Sequence, residues 1–193
     1  MELAVESLPG RKDRPATFGS DFPGFTALYN YWQSVRRGDA IPRSADFDLL
    51  ALTNWLPDMS LLDVRDADTV IWRFAGTTIV ERMGYDPSGE NVLHSQAKNL
   101  LDRAARAYRM VTSHPCGGLS YYTNHYSSGR EGNVHTLYLP LEAPSGQTSR
   151  LVSLTIREEN GVFAEPIERT ITGTNILSLD WIDLGFGVPA QEN

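Results

Sequence analysis

Period-two alternation of apolar residues in two separate stretches of the chain limits its fold more than any other feature. Two short runs, MSLLDV (59–64) and TVIWRFAG (69–76), precede a helical middle, and the turn RDAD joins them. Three more runs follow it, LSYYTNHY (119–126), VHTLYLPL (134–141) and RLVSLTI (150–156). Short β-branched and aromatic runs bounded by Gly, Asn or Ser are typical of strands. The chain therefore predicts two strands, a crossover and three strands.

The crossover has the spacing of helices. A short helix is predicted to end at Gly84, and a longer one covers about 95–113. The apolar stripe of the longer helix comprises Leu100, Leu101, Ala104, Ala105, Tyr108 and Val111. Antiparallel hairpins separated by a helical crossover predict an α+β domain, with a five-stranded antiparallel sheet and helices on one face.

A further helix is predicted before the first strand, beginning near 21–24 and ending at Gly38, with Pro42 beyond it. Its apolar side chains are Phe25, Leu28, Tyr29, Trp32 and Val35. They cover roughly 160° of the helix, against the ≳100° stripe that one apolar contact needs. We expect these five residues to form a homodimer contact, since isologous pairs are the commonest assemblies. The alternative is that the chain's own C-terminal residues, Leu179, Trp181, Ile182 and Leu184, cover the helix.

The pattern divides the chain into four parts. Residues 1–20 are predicted to be a flexible arm, and 21–58 hold the first helix and a connecting segment. Residues 59–157 form the core domain, and 158–193 are a C-terminal extension whose apolar residues fit neither period.

Charge and cysteine content exclude several partner classes. The chain has 17 basic and 24 acidic residues, a net charge of −7, which disfavours nucleic acid and anionic membranes as partners. No apolar run approaches the ~20 residues that span a bilayer. A single cysteine, Cys116, excludes an internal disulfide and suits a reducing compartment. We expect a cytoplasmic protein.

The strand and helix order, together with its flanks, resembles a bacterial, mainly alphaproteobacterial, PAS-like family. The resemblance covers about 25–189 and departs where the family has Asp-Pro and this chain has Asp48-Leu49. The matching residues are Tyr31-Trp32, Arg36 with Gly38, Pro42 with Arg43, Asp46, Leu56-Pro57, Arg73, Gly76-Thr77, Gly84, Gly89 and the ending DLGFGVP. The resemblance implies the PAS sensory fold and a role in sensing or regulation.

Motifs for catalysis or cofactor binding are missing from the sequence. There is no phosphate-binding glycine loop, no zinc-protease motif, no nucleophile elbow and no C-x-x-C. Cys116 lies in a Pro-Cys-Gly-Gly turn and is interpreted as an ordinary small residue. His94 and His114 flank the long helix outside its apolar stripe, which disfavours a haem ligand. Asp46 and Asp48 are interpreted as turn residues. We expect no cofactor and no metal.

A ligand pocket is predicted on the sheet face that carries the leucines. Its candidate residues are Trp72, Phe74, Tyr121, His125, His135, Leu137, Leu139, Val152 and Leu154. A five-residue loop at 128–132 places His125 opposite His135 and Tyr121 opposite Leu139. The two histidines form either a polar end of the pocket or a solvated rim.

Three functions remain open. The first is a non-enzymatic sensory or regulatory module that binds a small, mostly apolar ligand and signals through a protein partner. The second is an interaction module whose side chains fill the core. The third is an isomerase-type enzyme on a cupped sheet, which needs a buried carboxylate that the core-facing strand positions lack.

Overall fold

The computed structural model describes residues 18, 22–95, 100–127, 129, 131–144, 149–158 and 171–189. In this part of the chain three helices accompany six strands. They are α1 (Pro23–Ser34), β1 (Met59–Val64), β2 (Val70–Ala75), α2 (Thr77–Met83), α3 (Leu101–Ser113), β3 (Gly117–Tyr126), β4 (Glu131–Glu142), β5 (Ser149–Arg157) and β6 (Ile171–Ile182).

The strands form one antiparallel sheet in the order β2-β1-β5-β4-β3-β6. The predicted α+β fold is confirmed, and all five predicted strands are present. β6 is a sixth strand, drawn from the C-terminal extension, and it pairs with β3 along most of its length. The first two strands lie at one end of the sheet because β5, the last strand of the core, inserts between β1 and β4.

Helix α1 covers one face of the sheet. Its Phe25, Leu28 and Trp32 are almost fully buried, at 1%, 0% and 0% exposed. They belong to a cluster that we call the α1-side core, whose buried members are Phe18, Phe25, Leu28, Tyr29, Trp32, Phe47, Leu52, Met59, Leu137, Leu139, Leu141, Val152, Leu154 and Leu184.

The helix is shorter than the sequence predicts, ending at Ser34 where Gly38 was expected. The guanidinium of Arg36 donates hydrogen bonds to the carbonyls of Asp39 and Ala40, so the chain turns back directly after the helix. Gly38 takes its positive φ of 63° within that turn. A glycine after an apolar stripe thus marks a turn here and not the helix cap.

Helices α2 and α3 lie on the opposite face. The α3-side core comprises Leu62, Val64, Val70, Val92, Leu93, Ala105, Tyr108, Val111 and Leu151. Helix α2 ends as predicted, because Gly84 adopts φ 78° and donates its N–H to the Val80 carbonyl. Helix α3 begins at Leu101, later than expected; Val92–Ser95 is a 3₁₀ turn, and residues 96–99 lie outside the described part.

The C-terminal extension completes the edge of the sheet. β6 has register shifts opposite Tyr121/Tyr122 and His125/Tyr126, so its side chains do not keep one alternation. After β6, Leu184 enters the α1-side core and its carbonyl accepts a hydrogen bond from Arg36. The predicted N-terminal arm lies outside the described residues except for Phe18, which packs against Phe25. Among described residues no helix combines the length and apolarity needed to cross a bilayer.

Candidate functional site

A cavity of about 190 Å³ lies between the sheet and the two helices α2 and α3. The helices and the segment before α3 contribute mainly apolar side chains. The strands contribute most of the polar side chains, which form a polar floor, and also the apolar residues Leu62, Trp72, Ile176 and Leu179. The walls are formed by Leu62, Trp72, Ile79, Met83, Val92, Leu100, Ala104, Ala107, Tyr108, Ile176 and Leu179. The polar lining comprises Ser60, Arg82, Arg103, Ser120, Tyr122, Asn124, Thr136, Tyr138, Ser153, Thr155 and Thr174.

Hydroxyl groups of neighbouring strands pair with one another across this floor. The Ser60 and Ser153 hydroxyls are 2.5 Å apart. The Thr136 hydroxyl is 3.1 Å from that of Thr155 and 3.2 Å from that of Tyr122. Each pair joins side chains that point to the same face of the sheet. The pairing satisfies polar groups that burial alone would destabilise.

The phenols around the cavity are neutral hydrogen-bonding groups. Burial raises the pKa of Tyr108, Tyr122 and Tyr138 above the ordinary tyrosine value, with the neighbouring phenols adding to the effect for Tyr108 and Tyr138. The Tyr108 and Tyr138 rings meet edge to face, with 5.7 Å between centroids. Groups with such pKa values do not act as bases at neutral pH, but they can donate to a ligand.

Two cations and no carboxylate complete the lining within the described residues. Arg82 projects from the end of α2 and Arg103 from the first turns of α3. The Nε and Nη2 atoms of Arg82 are buried. The isomerase hypothesis needs a carboxylate in the cup, and the described lining supplies none.

Only one of the nine residues predicted to form the pocket, Trp72, lines this cavity. Phe74, Leu137, Leu139, Val152 and Leu154 belong to or pack against the α1-side core. Tyr121, His125 and His135 also lie outside the cavity lining. The leucine face is filled by α1, and the open space lies on the other face.

The predicted pairing of the two histidines is wrong. His125 is opposite Glu131 and Tyr121 is opposite His135, because β4 begins at Glu131, inside the predicted loop, whereas β3 ends at Tyr126 as predicted. The error in register is four residues, an even number, so the side chains still point to the predicted face. His125 Nδ1 is 2.9 Å from Glu131 Oε1, and its side chain is 42% exposed.

His135 has a packed and hydrogen-bonded environment on the α1 face. Its ring stacks on Tyr121 at 4.4 Å and contacts the ring of Phe22 at 4.6 Å. Its Nε2 lies 2.9 Å from Glu158 Oε1. The hydrogen bond with His135, helped by Asn133, lowers the pKa of Glu158 below the ordinary glutamate value. The arrangement is that of a satisfied structural histidine.

The expected dimer contact is occupied within the chain. Phe25, Leu28, Tyr29 and Trp32 all pack into the α1-side core, and Val35 packs against it. Trp32 Nε1 also donates a 2.7 Å hydrogen bond to the Pro140 carbonyl of β4. The wide apolar face therefore meets the sheet together with C-terminal Leu184 and Ile182, as in the alternative reading. Leu179 and Trp181 of that alternative instead face the cavity and the α3-side core.

Cys116, Asp46 and Asp48, the residues weighed as thiol or metal ligands, have defined structural surroundings. The described residues contain no group of three or more His, Cys, Asp or Glu that could hold a metal ion. Cys116 is buried, and burial raises the pKa of its thiol to about 11. Asp46 pairs with Arg43 and Arg37, and Asp48 caps a 3₁₀ turn through Leu50 N–H, so both are turn residues.

The residues that sequence reasoning missed are the hydroxyl-bearing ones of the floor. Ser60, Thr136, Ser153 and Thr155 alternate with the aliphatic residues that were assigned to the core. Ser and Thr at these alternate positions indicate a covered polar face of the sheet, because a solvated face of a strand usually carries charged or longer polar residues as well.

Comparison with known proteins adds one positive finding. The model of a family described as PAS domain matches residues 21–156, which is more than two thirds of the chain. The match includes α1 and the strands β1 to β5 except for Arg157, the last residue of β5, and it ends before β6. A search of curated proteins finds no match.

Proposed function

The chain belongs to the PAS domain family, and from that premise we propose that it is a non-enzymatic sensory or regulatory module that binds a small ligand in the cavity between the sheet, α2 and α3. Membership of the PAS domain family supports a sensory or regulatory role in general. The observation that carries the proposal is the cavity itself, about 190 Å³ of space inside an otherwise filled core. A cavity of about 150 Å³ accepts benzene, so a ligand of one ring with a substituent has room.

The ligand is amphipathic and not mostly apolar. Trp72, Leu100 and Tyr108 provide apolar surface, while the strand floor offers hydroxyl groups. Small-molecule sites combine apolar walls with a few polar groups that fix orientation. The filled-core alternative is disfavoured by the open space beside the polar floor.

The signal leaves the domain through contact with another protein or with a second copy of the chain. PAS domains commonly mediate protein interactions, which supports an output through such a contact. The buried residues of α1 are unavailable to it. A homodimer must therefore use another surface. A cytoplasmic location agrees with the single thiol.

Ligand binding is tested by a thermal-shift screen of small molecules on the full chain, together with native mass spectrometry of freshly purified protein. Ala104→Trp puts a large side chain into the cavity, and Ala40→Trp places the same side chain at an exposed turn as a matched control. We expect compounds that stabilise the wild type and the Ala40 variant, but not the Ala104 variant. Compounds that stabilise both variants equally would contradict a site in this cavity.

Assembly and turnover are tested separately. Light scattering over a range of concentrations measures the oligomeric state, and a melting temperature that rises with protein concentration indicates a dimer. Turnover of a substrate that is lost on changing Tyr108 or Arg82 would contradict the non-enzymatic assignment.

A further inference from the structure

The guanidinium of Arg82 has an unused hydrogen-bonding edge at the cavity. Its Nε and Nη2 atoms are shielded from solvent and have no hydrogen-bond partner among the described residues. These two atoms lie on the same side of the planar guanidinium, which is the edge that binds a carboxylate through two parallel hydrogen bonds. Arg82 lines the cavity beside the polar floor.

No acid among the described residues occupies this edge. The carboxylate of Asp58 senses the Arg82 charge, but it is held by the Thr78 side chain, and burial raises the pKa of Asp58. The described residues lining the cavity include no Asp or Glu. A second cation, Arg103, lines the same space. The charge of the site is therefore positive, and buried charged donors require a partner from solvent or from a ligand.

A buried hydroxyl group lies in the same lining. Ser120 Oγ is shielded from solvent and interacts with the Tyr138 side chain, which also lines the cavity. The same lining also contains the rings of Trp72 and Tyr108 and the aliphatic side chain of Leu100. A ligand that satisfies the whole lining has an anionic group at one end and a flat apolar body.

We propose that the cavity binds a small aromatic carboxylate, whose carboxylate is held by the Nε–Nη2 edge of Arg82 and whose ring lies among Trp72, Tyr108 and Leu100. This inference rests on the proposed ligand-binding function and specifies the ligand class. The space of about 190 Å³ exceeds the roughly 150 Å³ that takes benzene, which suits a single ring carrying a carboxylate. Inorganic phosphate would satisfy the arginine edge but would leave the apolar walls unused.

The test is calorimetric titration of the full chain at pH 7.5 with three carboxylates, benzoate, 4-hydroxybenzoate and phenylacetate. Benzamide is the neutral partner of benzoate, and inorganic phosphate is the anion without a ring. We expect at least one carboxylate to bind about tenfold or more tightly than its neutral amide, because charge-assisted paired hydrogen bonds are the strong ones. Phosphate is expected to bind more weakly than that carboxylate.

Arg82→Gln should weaken carboxylate binding about tenfold to hundredfold and change amide binding by less than about twofold. Arg82→Lys keeps the charge without the paired donors and should give an intermediate loss. Arg37→Gln is the matched control, since Arg37 is an exposed arginine paired with Asp46 and is absent from the cavity lining. Urea unfolding of each variant verifies that it is folded before titration.

Each result separates this inference from the proposed function. Equal binding of carboxylate and amide, or carboxylate binding that is unchanged by Arg82→Gln, overturns the assignment to an aromatic carboxylate but leaves a ligand-binding cavity. Phosphate binding as tight as the carboxylates, with the same Arg82 dependence, overturns the aromatic part. Failure of all three carboxylates overturns the inference, and only the additional failure of the cavity screen with the Ala104 variant overturns the proposed function.

Discussion

Trp32 connects the N-terminal helix to the sheet by two separable interactions, and replacing it by phenylalanine tests both. The indole is fully buried, and its Nε1 donates to the Pro140 carbonyl at 2.7 Å. Phenylalanine keeps an aromatic ring under the Arg36 guanidinium, which lies 5.1 Å from the Trp32 ring centroid. The substitution therefore removes the donor and part of the volume but retains most of the apolar contact.

The expected cost has two parts. Leaving the buried carbonyl without this donor costs about 1–3 kcal/mol. The smaller ring leaves a void of about 40 Å³, which costs about 1 kcal/mol at roughly 24 cal/mol per Å³. Trp32→Phe should therefore lower the free energy of unfolding by about 2–4 kcal/mol. For a chain of this length that corresponds to a fall in melting temperature of about 5–15 °C.

Urea unfolding measured by circular dichroism gives the change, with Tyr29→Phe on the same helix as the control. Among the described residues, the Tyr29 hydroxyl accepts one hydrogen bond, from the Gln33 amide, so its removal should cost less than about 1 kcal/mol. The slope of unfolding free energy against urea should stay the same in both variants. If Trp32→Phe costs no more than Tyr29→Phe, the packing of α1 on its own sheet is refuted, and with it the reason for excluding the helix from a dimer.

Three further predictions concern the backbone, pH and thiol reactivity. A Cβ at Gly76 would clash with the backbone oxygens of Leu56 and Pro57, so Gly76→Ala should lower the free energy of unfolding in urea by about 3 kcal/mol or more. A Cβ at Gly84 meets no neighbour among the described residues but keeps φ near 78°, so Gly84→Ala should cost about 1–2 kcal/mol, and equal costs would contradict the steric argument. Because the pKa of Glu158 is lowered in the folded protein, its hydrogen bond with His135 stabilises the fold fully above the unfolded pKa of about 4.3, and this stabilisation is lost as pH falls through the lower folded pKa. Glu158→Gln should therefore flatten the decline of the melting temperature below about pH 4.5, with an effect of less than about 1 kcal/mol because the Glu158 side chain is 41% exposed. Parallel melting curves for wild type and variant would show that the bond does not form. With its pKa raised to about 11 and its side chain buried, Cys116 should resist iodoacetamide at pH 8 in the folded protein and react in urea, whereas rapid modification of the folded chain would disprove its burial.

Local patterns were sufficient for most elements of the fold. Period-two alternation located β1 at 59–64 and β2 within a residue of its ends, and Gly84 marked the end of α2. These features depend on side-chain spacing and on a single backbone conformation, both of which are written in neighbouring residues. β6 could not be found in this way, since its two register shifts interrupt the alternation that identifies a strand.

Which sheet face holds the cavity was decided only by the tertiary structure. The sequence determined that Leu137 and Leu139 share one face while Thr136 and Tyr138 share the other, because alternation assigns every residue of β4 to a side. It did not determine that both faces are covered, one by α1 and the other by α3, since that depends on contacts between elements far apart in the chain. Once the aromatic side chains of α1 fill the leucine face, the remaining space lies over the hydroxyl face, and Arg82 reaches it from α2. Packing between distant elements, which no local pattern contains, therefore determined where the cavity lies.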